Sequence, residues 1–239
     1  MTAANDGHGK LTMKHGTRNM MLAGAGTAAA GVGIWITLRS RTQCWGASCD
    51  EVVQTLPGDD LVANPLYVTT RAITVRAPAA AVWPWLVQLG QNRGGFYTYD
   101  MLENLMGLGI HSADAIRPEW QDVHAGEDYV TLDADGQMKM TIAVLEPERA
   151  FVIRSGAPGQ PPQGPGSFFR GELAWSWGFY LAPLDVRTTR LIIRCRGAWA
   201  DTLTARLAKP VLLEPVHFLM EERMLRGLRD RAERAACLT

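Results

Sequence analysis

Residues 77–107 read APAAAVWPWLVQLGQNRGGFYTYDMLENLMG, and this stretch decides the fold. Val82, Leu86 and Leu89 recur at i, i+4 and i+7, one apolar face of a helix, with Trp85 beside them. Pro84 falls only about a turn and a half into that helix, where a missing N–H and a clash with the preceding turn are most easily absorbed. Gly90 can take the left-handed conformation that stops a helix. Gly94 and Gly95 then allow a tight reversal. Thr98 is the expected cap of a second helix carrying Met101, Leu102, Leu105 and Met106.

The elements on either side extend the pattern. Thr70 to Val75 (TRAITV) alternates and is β-branched, so it reads as a strand leading into the helix pair. Downstream the period changes to two. Tyr129–Leu132, Met138–Val144 and Phe151–Arg154 are expected strands, separated by turn chemistry at Asp133–Gly136 and at Glu146-Pro147-Glu148. Ser155 to Arg170 (SGAPGQPPQGPGSFFR) is a Gly/Pro-rich loop of the length that often forms a lid. Leu173, Trp175, Trp177, Phe179 and Leu181 alternate with Ala174, Ser176, Gly178 and Tyr180, which gives a strand with an aromatic face. Leu191, Ile193 and Cys195 alternate with arginines, which gives another strand with one apolar and one mostly wet face. Pro215 is the expected start of a long helix with a stripe of Val216, Leu219, Met220, Met224 and Leu228.

A chain of 239 residues, 47% of them hydrophobic, can form one sizeable domain plus an appendage. Its 24 basic and 24 acidic residues balance, so no nucleic-acid-binding face is expected. The arginines near the C-terminus alternate with acidic residues, as on a solvated helix. Cys44 and Cys49 have a zinc-like spacing, but no second ligand pair follows, and no metal is expected there. Outside the cell these two could instead form a disulfide.

Residues 1–19 are expected to be a disordered tail. Residues 20–38 contain no charge over 19 positions, the length needed to cross a bilayer, and Arg39 and Arg41 close the run. An uncleaved single-pass membrane anchor is the preferred reading. The charge balance slightly favours the main domain on the outer face. Gly24/Ala28 and Gly26/Ala30 have the small-residue spacing through which two such helices could pack as a homodimer. A cleaved signal peptide and a lipoprotein site at Cys49 are the rival readings. The former lacks an A-x-A site and has an overlong apolar run. Gly24 to Ala29 also fits a dinucleotide-binding GxGxxA pattern, but no strand precedes it. Residues 39–65 read as a linker lying on the domain, and residues 66–236 as the domain itself.

Strand, two helices, a run of antiparallel strands and a long C-terminal helix is the order of the helix-grip fold. The wording of TRAITVRAPAAAVWPWLVQLGQNRGGFYTYDMLENL, the preceding LPGDDLV and the later EPVHFLMEERMLRGLRDRAER resembles bacterial proteins of the SRPBCC superfamily (START-like, polyketide cyclase and lipid-transport type). The resemblance covers about residues 56–235. It implies an α+β domain whose curved antiparallel sheet wraps around the last helix, with an apolar cavity between them. It supplies no catalytic residues that can be placed here, and no cofactor is expected.

Within that frame Trp175, Trp177, Phe179, Met140, Ile142, Val216, Met220 and Met224 are the expected ligand lining, with a filled core as the alternative. Arg93, Tyr97 and Asp100 at the glycine hinge could form a polar rim for a ligand head group or an acid–base pair. The bland alternative, local capping and pairing, is preferred. His111, Ser112 and Asp114 hold triad residue types but lie within four positions, which suits loop hydrogen bonding better. His217 could face the cavity, though a surface or capping role is preferred. Three functions follow: a membrane-tethered binder of a lipid or another apolar small molecule, a cyclase- or dehydratase-type enzyme using the hinge residues, and a scaffold whose cavity its own side chains fill.

Overall fold

The structure is a computed structural model that describes residues 30–35, 37–105, 107, 109–131, 139–155, 173–199 and 202–238. The chain divides into two compact units, residues 1–40 and 41–239. In the first, residues 30–35 and 37–40 are helical. Residues 20–29 and 36 of the expected membrane span, and the whole expected tail, lie outside the described residues. Among the described residues no helix is long and apolar enough to cross a membrane.

The second unit is an α+β domain. Its strands are β1 (Tyr67–Val75), β2 (Asp128–Thr131), β3 (Lys139–Glu146), β4 (Ala150–Ser155), β5 (Leu173–Asp185) and β6 (Thr188–Trp199). They form one open sheet in the order β1-β6-β5-β4-β3-β2, and every neighbouring pair is antiparallel. The helices are α1 (Cys49–Val53), α2 (Ala79–Val87), α3 (Asp100–Leu105) and α4 (Leu203–Ala236). Strand alternation gives the sheet two faces. The inner one carries Tyr67, Arg71, Val75, Met140, Ile142, Phe151, Ile153, Trp175, Trp177, Phe179, Leu191, Ile193 and Cys195. It packs against Val82, Trp85 and Leu86 of α2 and Met224, Leu225 and Leu228 of α4. A close-packed face of this sort makes each large side chain worth several kcal/mol, about 3–5 for an aromatic cut to Ala.

The glycine hinge lies where the sequence predicts it. Gly90 (φ +124°) and Gly95 (φ +71°) pair as an isolated antiparallel bridge, conformations a side chain would strain. Tyr97 follows at φ +57°, unusual for a non-glycine residue. Gly227 of α4 sits beneath it: a Cβ there would come within 2.5 Å of the Tyr97 carbonyl oxygen. The hinge and the last helix therefore touch through backbone.

Four expectations need correction. First, the arginine face of β6, expected to be mostly wet, is covered by residues 44–62, the segment read as a linker lying on the domain. Trp45 O accepts from Ala72 N (3.1 Å), covering the exposed edge of β1. Arg194 donates to Glu51 O, Val52 O and Gln54 O at 2.7–3.0 Å and pairs with Asp59. Arg190 forks onto Glu51, and Tyr180 Oη donates to Pro57 O. The arginine face expected to be wet is thus roofed, because guanidinium groups can satisfy the bare carbonyls at the end of a short helix.

Second, α4 starts at Leu203 and continues through Pro210 and Pro215. Beside Pro215, Glu214 is buried and His217 is bonded to Tyr67, so the domain holds the helix intact through the proline. Third, the buried stripe of α4 runs through Glu221, Met224, Leu225, Leu228 and Ala232, while Val216 and Leu219 are exposed. Fourth, α3 buries Glu103 rather than its apolar residues. Met101 and Leu105 are both exposed, and Met106 lies outside the described residues. The Thr98 hydroxyl donates to Glu103 Oε1 at 2.5 Å instead of serving as the expected cap.

Candidate functional site

Three strands and one helix bring a polar cluster into the otherwise apolar inner face. β1 contributes Tyr67, Thr69 and Arg71, which share a face by alternation, and β5 contributes Trp177. β6 contributes Cys195, opposite Thr69 in the register. From α4 come His217 and Glu221, one turn apart and hence on the same side of the helix.

Glu221 is the hub. Its Oε2 pairs with Arg71, and both side chains are 1% exposed. Its Oε1 accepts from Trp177 Nε1 (2.9 Å) and from the Cys195 thiol (3.2 Å). Arg71 Nε donates to Thr42 O at 2.8 Å, so the guanidinium is tied on two sides. His217 places Nδ1 2.9 Å from Tyr67 Oη and 3.3 Å from the Arg71 guanidinium. Its Nε2 lies 3.6 Å from Cys195 Sγ and 3.7 Å from Glu221 Oε1. The His217 side chain is 16% exposed, the most accessible of Arg71, His217 and Glu221, and its ring meets Trp175 edge-on at 5.4 Å.

Burial and charge set the protonation states. Burial opposes ionisation of Glu221, but Arg71 and His217 overcome it, and the carboxyl is held below its usual range. Burial likewise opposes the charge on Arg71, and Glu221 together with Tyr67 and Cys195 more than offsets that, so the pair is ionic. Burial and the neighbouring Glu221 carboxylate push the Cys195 thiol well up. Burial lowers His217 to about 4, with Glu221 opposing and Arg71 assisting. At neutral pH the cluster is therefore an ion pair flanked by a neutral imidazole and a thiol.

Of the residues expected to line a cavity, Trp175, Trp177, Phe179, Met140 and Ile142 are buried on the inner face, Met224 is buried on α4, Met220 is half-buried, and Val216 is 45% exposed. Trp177 contacts Phe96 and Phe179 with ring centroids 6.0 and 5.1 Å apart, and Trp175 stacks on Tyr67 at 5.8 Å.

The hinge residues are engaged locally. Arg93 donates to Val87 O and Trp120 O and lies over the Tyr129 ring at 4.7 Å. Tyr97 Oη accepts from Gln88 and donates to Trp85 O. Asp100 accepts from both the backbone and the hydroxyl of Ser112. Asp114 pairs with Arg231, which separates the triad-type residues into different bonds. Beside Arg93 an open cleft of about 330 Å³ is bordered by Asn92, Asp128, Tyr129 and Lys139. Cys44 and Cys49 are free thiols.

Sequence reasoning passed over Arg71, Glu221 and Tyr67. The signal for Arg71 was its place beside Ile73 and Val75 on one face of TRAITV. The signal for Glu221 was its i+4 spacing from His217 inside an apolar stripe.

No family model matches the chain, and no curated protein matches it in sequence. Among solved structures, a protein of Nitrosomonas europaea aligns at 13% identity over 75% of this chain and 99% of its own, with a TM-score of 0.43. One from Chromobacterium violaceum aligns at 14% identity over 70% and 96%, with a TM-score of 0.40. DynU16, from the dynemicin biosynthetic locus, aligns at 14% identity over 67% and 46%, with a TM-score of 0.37. Likenesses this distant carry no argument. The chain's class rests on its own topology: an α+β domain with a six-stranded, all-antiparallel open sheet and a long C-terminal helix.

Proposed function

We propose that this is an SRPBCC-type domain that binds a lipid or another apolar small molecule between the inner sheet face and α4, tethered to a membrane through residues 20–38. The observation that carries the reading is the grouping of Trp175, Trp177, Phe179, Met140 and Ile142 on one sheet face, with Met224 of α4 packed against it and a polar cluster set between them. Aromatic and Met side chains make an adaptable apolar lining, and a few fixed polar groups orient what binds there. The hinge offers the enzyme reading little support, since Tyr97 and Asp100 are committed to separate local bonds. The tether rests on the uncharged run of residues 20–38.

Each methylene moved out of water contributes about 0.8 kcal/mol, so a ten-carbon chain contributes on the order of 8 kcal/mol. About 8 kcal/mol corresponds to a micromolar dissociation constant, and lost ligand freedom removes several kcal/mol of it, so burial of ten carbons alone gives affinity weaker than micromolar. The test is native mass spectrometry of the full chain together with displacement of a fluorescent fatty acid. Folded protein that neither carries nor accepts an apolar molecule overturns the proposal.

A further inference from the structure

We propose that Cys195 Sγ, His217 Nε2 and Glu221 Oε1 form a three-ligand site for a borderline divalent cation, Zn²⁺ by preference. Their mutual distances are 3.2 Å (S to O), 3.6 Å (S to N) and 3.7 Å (N to O). Zinc bonds of about 2.3 Å to sulfur and about 2.0–2.2 Å to nitrogen and oxygen, at tetrahedral angles, place ligand atoms about 3.4–3.6 Å apart. One ion can therefore sit against all three with side-chain shifts of a few tenths of an ångström, on the order of the mismatch between those two sets of distances.

The donor set points the same way. A thiolate, an imidazole and a carboxylate together suit zinc rather than the all-oxygen preference of Mg²⁺ or Ca²⁺. The groups that would steady the ligands are in place. Trp177 Nε1 and Arg71 hold Glu221, and Tyr67 Oη lies 2.9 Å from the far nitrogen of His217. Ligation through Nε2 requires the tautomer in which Nδ1–H donates to Tyr67 Oη, with Arg71 keeping Glu221 and giving up its contact to Nδ1.

A second observation is independent of these distances. Thr69, 1% exposed and opposite Cys195 across the β1–β6 ladder, has a buried hydroxyl oxygen that makes no well-formed hydrogen bond and interacts only with the Cys195 thiol. It lies near enough to polarise the thiol. A buried hydroxyl with so poor a partner is costly, and a water in the fourth position of such an ion would be a better one. On binding, the thiol proton leaves to solvent and the S–metal bond replaces S–H, so binding releases one proton from Cys195. Two ligand charges and the ion, beside Arg71, leave a single net positive charge in the cluster.

The experiment uses the full chain, expressed with zinc supplied, then stripped with chelator and titrated with Co²⁺. The expected result is one equivalent of metal, with thiolate-to-cobalt charge-transfer absorption that Cys195→Ser abolishes and Cys44→Ser/Cys49→Ser leaves intact. His217→Ala weakens binding at least tenfold. As a readout independent of variants, Zn²⁺ at a hundredfold excess over its dissociation constant raises the melting temperature of the wild-type protein by about 5–10 °C. No metal above trace with no thermal shift overturns the site. So does absorption that survives Cys195→Ser and disappears with Cys44→Ser/Cys49→Ser.

Discussion

Trp177 in β5 donates its indole N–H to Glu221 Oε1 in α4 at 2.9 Å. The same carboxylate takes Arg71 from β1 and the Cys195 thiol from β6. One side chain of the last helix thus ties together three strands of the sheet it packs on. An aromatic face alone would hold α4 by area, without fixing how far the helix slides or turns. Directional bonds from three strands to one carboxylate fix that register.

Removing one partner of this buried pair leaves a charge without compensation. Arg71→Met should cost about 3–5 kcal/mol. Arg71→Met/Glu221→Leu should recover most of that loss, since no bare carboxylate then remains inside. Urea unfolding of chelator-treated protein gives the cycle. Additive losses in the double variant would show that the two groups act separately.

Glu103 makes the opposite kind of prediction. Burial, with Asp100 adding to it and the Thr98 hydroxyl opposing, raises its carboxyl above 4.5, and Glu103 Oε2 is buried without a partner. The folded state then holds this proton more tightly than the unfolded state. The Glu103 contribution is fully present below about pH 4.5 and is lost as pH rises through the folded value. Stability measured from pH 4.5 upward should carry this downward component in the wild type and lack it in Glu103→Gln. Identical pH profiles would refute it.

Residues 44–62 should behave as part of the domain. A chain starting at Arg41 is expected to unfold in one cooperative transition. One starting at Leu56 loses the cover over β1, the Arg190–Glu51 fork and the carbonyls that Arg194 binds. It should be less stable by several kcal/mol, because Arg190 loses its carboxylate and keeps only Thr74, and Arg194 loses three carbonyls and keeps only Asp59 and Thr70. Equal denaturation midpoints and slopes for the two would show that the segment contributes nothing.

Most of the architecture was legible because period and punctuation carry it. TRAITV, the alternation from Leu173 to Leu181 and the glycines at 90, 94 and 95 each fixed an element through local chemistry. What was hidden depends on partners distant in sequence. Arg71 reads as a solvent-facing break in a strand until Glu221, 150 positions away, is seen against it. The apolar stripe of α4 drew attention to Val216 and Leu219 because Glu221 reads as polar. Counting back from Leu228 and Met224 at helical spacing instead reaches Glu221 and His217. Pro215 looked like a helix start because its cost is local, whereas the bonds that carry the helix through it are tertiary.

The lining itself gives the last prediction. Trp175 is buried between Tyr67 and His217, with ring contacts at 5.8 and 5.4 Å, and it borders the polar cluster without bonding to Glu221 through its indole. Trp177 is a poorer probe, because Trp177→Ala would also strip a donor from the buried carboxylate and confound binding with folding. Trp175→Ala should therefore weaken binding of a long-chain apolar probe by about tenfold, or ~1.4 kcal/mol, while the protein stays folded. Asp100→Asn, which disturbs the bonds to Ser112 and the charge beside Glu103 at the hinge, should change affinity less than about twofold, below ~0.4 kcal/mol. An enzyme using the hinge predicts the reverse order, with Asp100→Asn removing turnover and apolar binding surviving. A fluorescent fatty-acid displacement assay on both variants, each checked for a cooperative melt, decides between them. Unchanged affinity in Trp175→Ala would move the binding site off this face of the sheet.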